Sequence, residues 1–375
     1  MSVVTSKKST EKSVTKLSFS LKVGLDDDRP VYLSGNFNNW DLKDEQFRLT
    51  KKGENTYTFE WPERISIPAK IEYKYLKGGW ESVEIDRYGN RIENRVLESP
   101  KGEICDFVPR WRIQGLAYNP NFLPIIEVIK DDYEIPQLGK RRRICVLLPH
   151  DYEESDKHYP VLYMNDGQNL FGDRAPFGIW GVDEKMAILA ENGFKDLILV
   201  TIDHGEKDRI AEYSPYFSWR FGRGDGKKYL QFVTETLKPY IDSHYRTKPE
   251  RMTTGIGGSS MGGLISLYAG LRFAQYFGKL LVFSPSLWLT HKIFIKAINA
   301  GRELMMDIFL YAGGSESATM LAHVDKLKAT LKRHPEIDIR VSIDPIGQHN
   351  EFKWGQEFPK AVEWLFFNKE KANGN

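Results

Sequence analysis

Gly255-Ile256-Gly257-Gly258-Ser259-Ser260-Met261-Gly262-Gly263 is the stretch on which the reading of the whole chain turns. It contains one G-x-S-x-G, from Gly258 to Gly262. β-Prone Met252, Thr253, Thr254 and Ile256 precede it, and residues 264–271 follow with apolar side chains at helical spacing. A strand, a sharp turn and a helix in that order hold a serine at the tip of the turn with its hydroxyl exposed. The serine backbone is strained there, and the bare Cα atoms of Gly258 and Gly262 let strand and helix approach. A phosphate-binding turn is the rival, but no lysine follows the glycines and no G-x-G-x-x-G is present. Ser260 is therefore the candidate nucleophile.

A serine hydroxyl stays unreactive at neutral pH until a base takes its proton, so a histidine must reach it. The chain has eight histidines. On a turn of this kind the partners follow in the order serine, acid, histidine, with the base after a late strand. His349 satisfies that, in loop residues 346–351 behind the apolar stretch 339–343, whereas His291, His323 and His334 fall in or near helical patterns. The acid should end the preceding strand, 308–311, and Glu316 is the only carboxylate in the loop that follows. Asp203 precedes the serine, Asp344 is close to His349 in sequence, and Asp325 belongs to a helical pattern over 320–331. The oxyanion formed on attack needs two N–H donors. The expected donors are the backbones of Met261, next to the nucleophile, and of Gln168, in the Gly-containing turn after strand 161–164.

Outward from this centre, strands alternate with helices. Residues 125–129, 144–148, 161–164 and 197–202 are apolar β-branched runs, matched after the serine by 279–283, 308–311 and 339–343. Near-continuous hydrophobicity suits a sheet buried on both faces. Helices are expected over 182–192, 227–244 and 355–367. The fold class is α/β, with a predominantly parallel sheet. The basic run Lys140 to Arg143 reads as a solvated turn before its strand. Residues 17–108 differ: short alternating stretches separated by Gly, Asn, Asp and Pro predict a small β-sandwich. The expected organisation is a flexible N-terminus (1–16), the sandwich (17–108), a Pro- and Asn-rich linker (109–122), the α/β domain (123–368) and a flexible C-terminus (369–375).

Composition narrows the rest. Hydrophobic residues at 41% and aromatics at 13% of 375 residues can build real cores. A net charge of +2 with interspersed signs points to neither nucleic acid nor a membrane surface. No apolar run approaches the roughly 20 residues that span a bilayer. Residues 1–16 lack a secretory h-region, so a cytoplasmic location is expected. Cys105 and Cys145 suggest no disulfide framework, and no His/Cys/Asp cluster has ligand spacing, so no metal or cofactor is expected. Oligomeric state is not legible.

Several motifs recur together. Residues 166–171 (DGQNLF), 212–215 (EYSP), 238–242 (KPYID), 245–247 (YRT), 258–263 (GSSMGG) and 284–288 (SPSLW) resemble, in order, the esterase-D-like esterases of the α/β-hydrolase superfamily. That group includes acetyl-xylan, feruloyl and siderophore esterases and S-formylglutathione hydrolases. The resemblance covers about residues 120–368 and implies a cofactor-independent serine esterase. One departure is Gly347-Gln348-His349, where many relatives have Gly-Gly-His; the extra side chain is expected at the pocket wall. Separately, residues 31–40 (VYLSGNFNNW), with 73–75, 79–80 and 94–95, resemble the starch- and glycogen-binding modules attached to carbohydrate-active enzymes. That resemblance implies a sugar site from Trp40, Lys74, Trp80 and Asn94, rings stacking on sugar faces and polar groups bonding hydroxyls.

The expected partner is a small-molecule or oligosaccharide ester, acyl groups on a carbohydrate being the first reading. A catecholate trilactone siderophore is the alternative, and a non-catalytic glycan-binding scaffold the second. Tyr213, Trp219 and Trp288 are expected to line the substrate pocket, among the aromatics of 213–221. Arg220 and Arg223 are candidates to meet an anionic substrate.

Overall fold

The computed structural model describes residues 16–24, 26–27, 29–173, 175, 178–217, 222–299 and 304–367. The chain forms two compact units, residues 1–118 and 119–375. In the second, eight strands form one sheet: β1 (Ile125–Ile135), β2 (Lys140–Leu148), β3 (Val161–Asn165), β4 (Ile198–Ile202), β5 (Thr254–Ser259), β6 (Lys279–Phe283), β7 (Met306–Gly313) and β8 (Ile337–Asp344). Their spatial order is β1-β2-β4-β3-β5-β6-β7-β8. β2 runs antiparallel to both β1 and β4, and every later pairing is parallel. The expected α/β class, with a mostly parallel sheet, is what forms.

Alternation along the strands divides the apolar residues between two cores. Val200, Ile256, Leu280 and Ile308 face one cluster, while Leu199, Leu162, Leu281 and Phe309 face the other. Helices cover both sides: α1 (Val182–Glu191), α2 (Arg209–Tyr213), α3 (Gly226–Phe232), α4 (Lys238–His244), α5 (Met261–Arg272), α6 (Lys292–Ile298), α7 (Met320–Leu331) and α8 (Glu351–Phe366). α1 and α8 bury their apolar faces in the second cluster, and α5 in the first. Parallel strands need such cover, because their crossover helices leave no sheet face to water.

Four local expectations need correction. β1 is an edge strand whose side chains are mostly exposed, so its apolar run does not mark a doubly buried strand. Lys140 to Arg143 lie inside β2 and are paired: Lys140 and Arg142 with Glu212, Arg141 with Asp132 and Glu134, Arg143 with Asp203. The helix expected over 227–244 is interrupted by a π turn, Val233–Leu237, just before Pro239, which has no N–H to continue the ladder. α8 starts at Glu351 rather than 355, because the Asn350 side chain accepts the Lys353 N–H and caps it.

The first unit is all-β. Strands 50–53, 56–60, 17–23 and 102–108 form one sheet in that order, and 32–35, 70–76 and 95–98 another. Phe19, Phe47, Phe59, Trp61 and Tyr73 fill the core between them with ring contacts of 5.3–6.3 Å. Arg110–Trp111, expected in a linker, pairs instead with Glu84–Ile85 as a short ribbon of this unit. Both flexible termini of the sequence reading lie outside the described residues, apart from Lys16.

Candidate active site

The elbow forms where β5 ends. Ser260 has φ 56° and ψ −117°, a left-handed backbone that a side chain rarely tolerates, and its N–H is fixed to Phe283 O at 2.9 Å. A Cβ on Gly258 would lie 3.1 Å from the Gly262 carbonyl carbon, and one on Gly263 2.8 Å from Phe283 O. A side chain at Gly263 would strike the backbone of β6, and one at Gly258 would crowd the first turn of α5. Asn165, the last residue of β3, braces the turn from beside it: its amide donates to Gly257 O (2.9 Å) and Ser266 Oγ (3.0 Å) and accepts from Tyr229 OH (2.5 Å).

Glu316 and His349 come from loops after β7 and β8 that are stitched together. Gly314 N–H donates to Asp344 O (2.8 Å) and Ser315 N–H to Gly347 O (3.0 Å). The Glu316 side chain is 1% exposed, and its Oε2 contacts His349 Nδ1 at 2.8 Å. Its Oε1 accepts from Ser284 Oγ and Gly313 N–H, each at 2.6 Å. Trp354 Nε1 donates to Ser284 Oγ (2.9 Å) and sets its ring edge-on to His349 at 4.9 Å. With Nδ1 held by the carboxylate, Nε2 is the ring nitrogen available to act as a base. The rival acids have other partners or places: Asp344 is paired with Lys353, Asp203, though near the site, with Arg143, and Asp325 is exposed on α7.

Ser260 and His349 line two adjoining depressions. The larger, about 1070 Å³, has a mixed wall, with Gln168, Asn169, Asp203, His204 and Glu206 beside Ile210 and Trp354. The smaller, about 300 Å³, is mostly apolar, with Met261, Leu289, Trp288 and Met320 in its wall. Met261 opens α5, so its N–H has no helical carbonyl to meet. Gln168 is the middle residue of a single turn, Gly167–Asn169, after β3. Its side chain grips the backbone of His204, accepting that N–H at 2.9 Å.

Other expected residues fall differently. Trp288 is 53% exposed in the apolar wall. Tyr213 is fully buried and lines neither depression; its OH accepts the Asp166 N–H at 3.3 Å, so it supports the site from beneath. Trp219 and Arg220 lie outside the described residues. Arg223 is exposed and outside both walls. Gln348 is exposed, bonds Asn350, and does not form the pocket wall. His204, Arg209, Glu351 and Ser286 are in the site without having been singled out. Ser286 Oγ is 3.2 Å from Ser260 Oγ. Burial pulls the His204 imidazole below its ordinary value, and its Nδ1 accepts the Glu206 N–H, so the proton of the neutral ring is on Nε2. Burial pushes Glu351 above the usual carboxylate range. Nothing in the spacing of these residues marks them, since each reaches the site through a fold contact.

Residues 135–372 match the protein family described as Putative esterase. The chain belongs to that family. An uncharacterized Bacillus subtilis protein, YbbA, is 26% identical over 242 residues, 60% of this esterase and 92% of its own length. An amylopullulanase of Thermoanaerobacter thermohydrosulfuricus is 32% identical over 114 residues, 29% of this chain but 8% of its own. Among solved structures, the enterobactin esterase FES of Shigella flexneri is similar in fold, with TM-score 0.52, 15% identity and 95% of each chain covered. The esterase is thus an ester hydrolase. No helix among its described residues is long and apolar enough to cross a membrane.

In the sandwich unit, Trp80 is 44% exposed and its ring is 6.2 Å from that of half-buried Trp40. Trp80 and Lys74 share the wall of a cavity of about 320 Å³ with Val83, Ile85, Arg91 and Arg112. Lys74, however, is buried, and two of its donors go to Ile92 O (2.5 Å) and Glu93 O (3.1 Å). Asn94 is exposed and not in that wall.

Proposed function

We propose that this esterase cleaves acyl esters of carbohydrates through an acyl-enzyme on Ser260. The observation that carries the reading is that Ser260 and His349 stand in the walls of both a roomy cleft lined by many polar side chains and a small, more apolar lobe. A polyhydroxylated alcohol suits the first and a short acyl or aryl group the second. Ser260 Oγ attacks the ester carbonyl while His349 takes its proton, and Glu316 holds the ring and stabilises the imidazolium. The N–H groups of Met261 and Gln168 receive the oxyanion. His349 then gives the proton to the departing sugar hydroxyl, and water releases the acid by the same steps in reverse.

The likeness to an enterobactin esterase along both units favours a second reading, a catecholate trilactone substrate. Charge weighs against it. Among the described residues the cleft wall presents the carboxylates of Glu206 and Glu351, while Asp203 is paired with Arg143 and the one guanidinium, Arg209, is engaged by Asp166. A negatively charged ferric catecholate would meet net repulsion, whereas a neutral sugar would not. The test is a panel of p-nitrophenyl acetate, acetylated xylo-oligosaccharides, methyl ferulate and a ferric catecholate trilactone. The highest kcat/KM is expected on a glycan ester, and a preference for the trilactone would reverse the order of the two readings.

The cavity beside Trp80 is the proposed glycan contact of the sandwich, supported by the exposed indole and by the amylopullulanase match. In affinity electrophoresis the full chain should be retarded by glycogen or xylan, and Trp80→Ala should abolish the retardation. Equal mobility of both proteins in every glycan would make the sandwich a structural unit only.

A further inference from the structure

The oxyanion turn is gripped by α2, whose first two residues, Arg209 and Ile210, share the walls of both depressions with Ser260 and His349. Asp166 precedes Gly167–Asn169 and stands in the left-handed region, φ 62° and ψ 47°. Both ends of Asp166 are tied to the five-residue α2. Its carboxylate accepts a two-pronged pair from Arg209, Nε at 2.6 Å and Nη2 at 2.8 Å, and its N–H donates to Tyr213 OH at 3.3 Å. Arg209 and Tyr213 are four residues apart, so they project from one face of α2 one turn from each other. The carbonyl of Asp166 accepts from Asn169 N–H at 2.9 Å, closing the turn that holds Gln168. On its other side the carboxylate lies against the elbow: a Cβ on Gly262 would be 2.9 Å from Asp166 Oδ2. Asp166 therefore spans the gap between the two proposed oxyanion donors, Gln168 N–H and Met261 N–H.

The residue is 4% exposed, and burial would lower the Arg209 guanidinium were it not outweighed by Asp166, which leaves it above the ordinary arginine range. A buried pair with two hydrogen bonds fixes geometry as well as charge, because the planar fork admits one orientation of the carboxylate. We propose that Arg209 and Tyr213 are positioning residues that set the spacing of the oxyanion donors through Asp166. The inference rests on the serine mechanism above, and it adds that α2 governs the transition state rather than substrate affinity. Donors that are displaced lose their stabilisation of the oxyanion, which forms only in the transition state, so the loss falls on kcat.

The test compares Arg209→Gln, Arg209→Lys and Tyr213→Phe with wild type in three readouts: kcat and KM on p-nitrophenyl acetate, melting temperature, and inhibition by a trifluoromethyl ketone. Ser260 Oγ adds to the ketone's carbonyl carbon, the serine proton passes to His349, and the C=O electron pair leaves an oxyanion between the two donors. Arg209→Gln should lower kcat about 10²-fold with KM little changed, and raise the inhibition constant of the ketone by a similar factor. Arg209→Lys, which keeps the charge and loses the fork, should recover part of both. Tyr213→Phe removes one hydroxyl, should fold as wild type, and should lower kcat by about 3- to 10-fold in step with the ketone. A raised KM with kcat intact in Arg209→Gln would make Arg209 a substrate contact and overturn the proposal. So would a wild-type kcat in Tyr213→Phe, which decides the matter if Arg209→Gln does not fold. Ser260→Ala keeps the two readings apart: if it still hydrolyses the ester, the serine mechanism fails, whatever Arg209 does.

Discussion

Each unit of this esterase buries a carboxylate network, and the two differ in where the network ends. In the sandwich, Glu84 is held by Arg95 Nε and Nη2 and by Tyr75 N–H, while Arg95 Nη1 continues to Asp106 at 2.8 Å. Asp106 Oδ2 also accepts both Tyr73 OH and Tyr75 OH, each at 2.8 Å, so the groups satisfy one another. In the α/β unit Glu316 is as deeply buried and as fully bonded, but its chain of contacts ends on a histidine whose side chain is 38% exposed beside a cleft. The first arrangement spends its polar groups on its own fold. The second leaves a basic nitrogen facing open space, which is what proton transfer requires. Burial and hydrogen bonding alone do not distinguish a site from a structural network; an open valence at a cavity does.

Mutations should separate the two networks. The largest effect is expected at the open end: Ser260→Ala should lower ester hydrolysis by about 10⁴-fold or more at an unchanged melting temperature. Next, Glu316→Gln should cut kcat by roughly 10²- to 10⁴-fold, because the amide no longer fixes the imidazole or stabilises its charge. Asp325→Asn, on the exposed face of α7, should change kcat by less than about threefold. A crippled Asp325→Asn beside an active Glu316→Gln would put the acid on another element.

At the closed end the effect should be on stability. Arg95→Met strands the buried carboxylate of Glu84, takes the cation from Asp106, and should cost about 3 kcal/mol or more in denaturant unfolding. The kcat of the folded fraction should be that of wild type, and a change in kcat with full stability would dissolve the contrast. The smallest effect concerns Glu351. Burial raises its folded-state pKa, so the native state binds its proton more tightly and stability falls as pH rises through that range. Glu351→Gln should therefore match wild type at acid pH and exceed it slightly at neutral pH, and a variant less stable at neutral pH would contradict that sign.

What the sequence made legible follows from how local each signal is. The sharp turn at Ser260 was readable because its glycines lie within a few residues of one another, and the Glu316 contact with His349 because its loop offers one carboxylate. The starting point of α7 was readable from apolar spacing within one helix. Arg209 and Tyr213 were not, since their partner Asp166 is 43 and 47 residues away. The Lys140 to Arg143 run was misread for the same reason: Glu212, which receives two of its cations, lies 70–72 residues along the chain. Lys74 looked like a free sugar contact because nothing local shows that two carbonyls from 92–93 would claim its ammonium. Turn chemistry and periodicity are written within a few residues, whereas ion pairing depends on the finished sheet.

The most direct measurement of the central claim is active-site labelling. A fluorophosphonate incubated with the intact esterase should abolish hydrolysis at one equivalent and be found, after digestion and mass spectrometry, on Ser260. Labelling of Ser286, whose hydroxyl is 3.2 Å away, or full inactivation with no adduct on Ser260, would contradict the account.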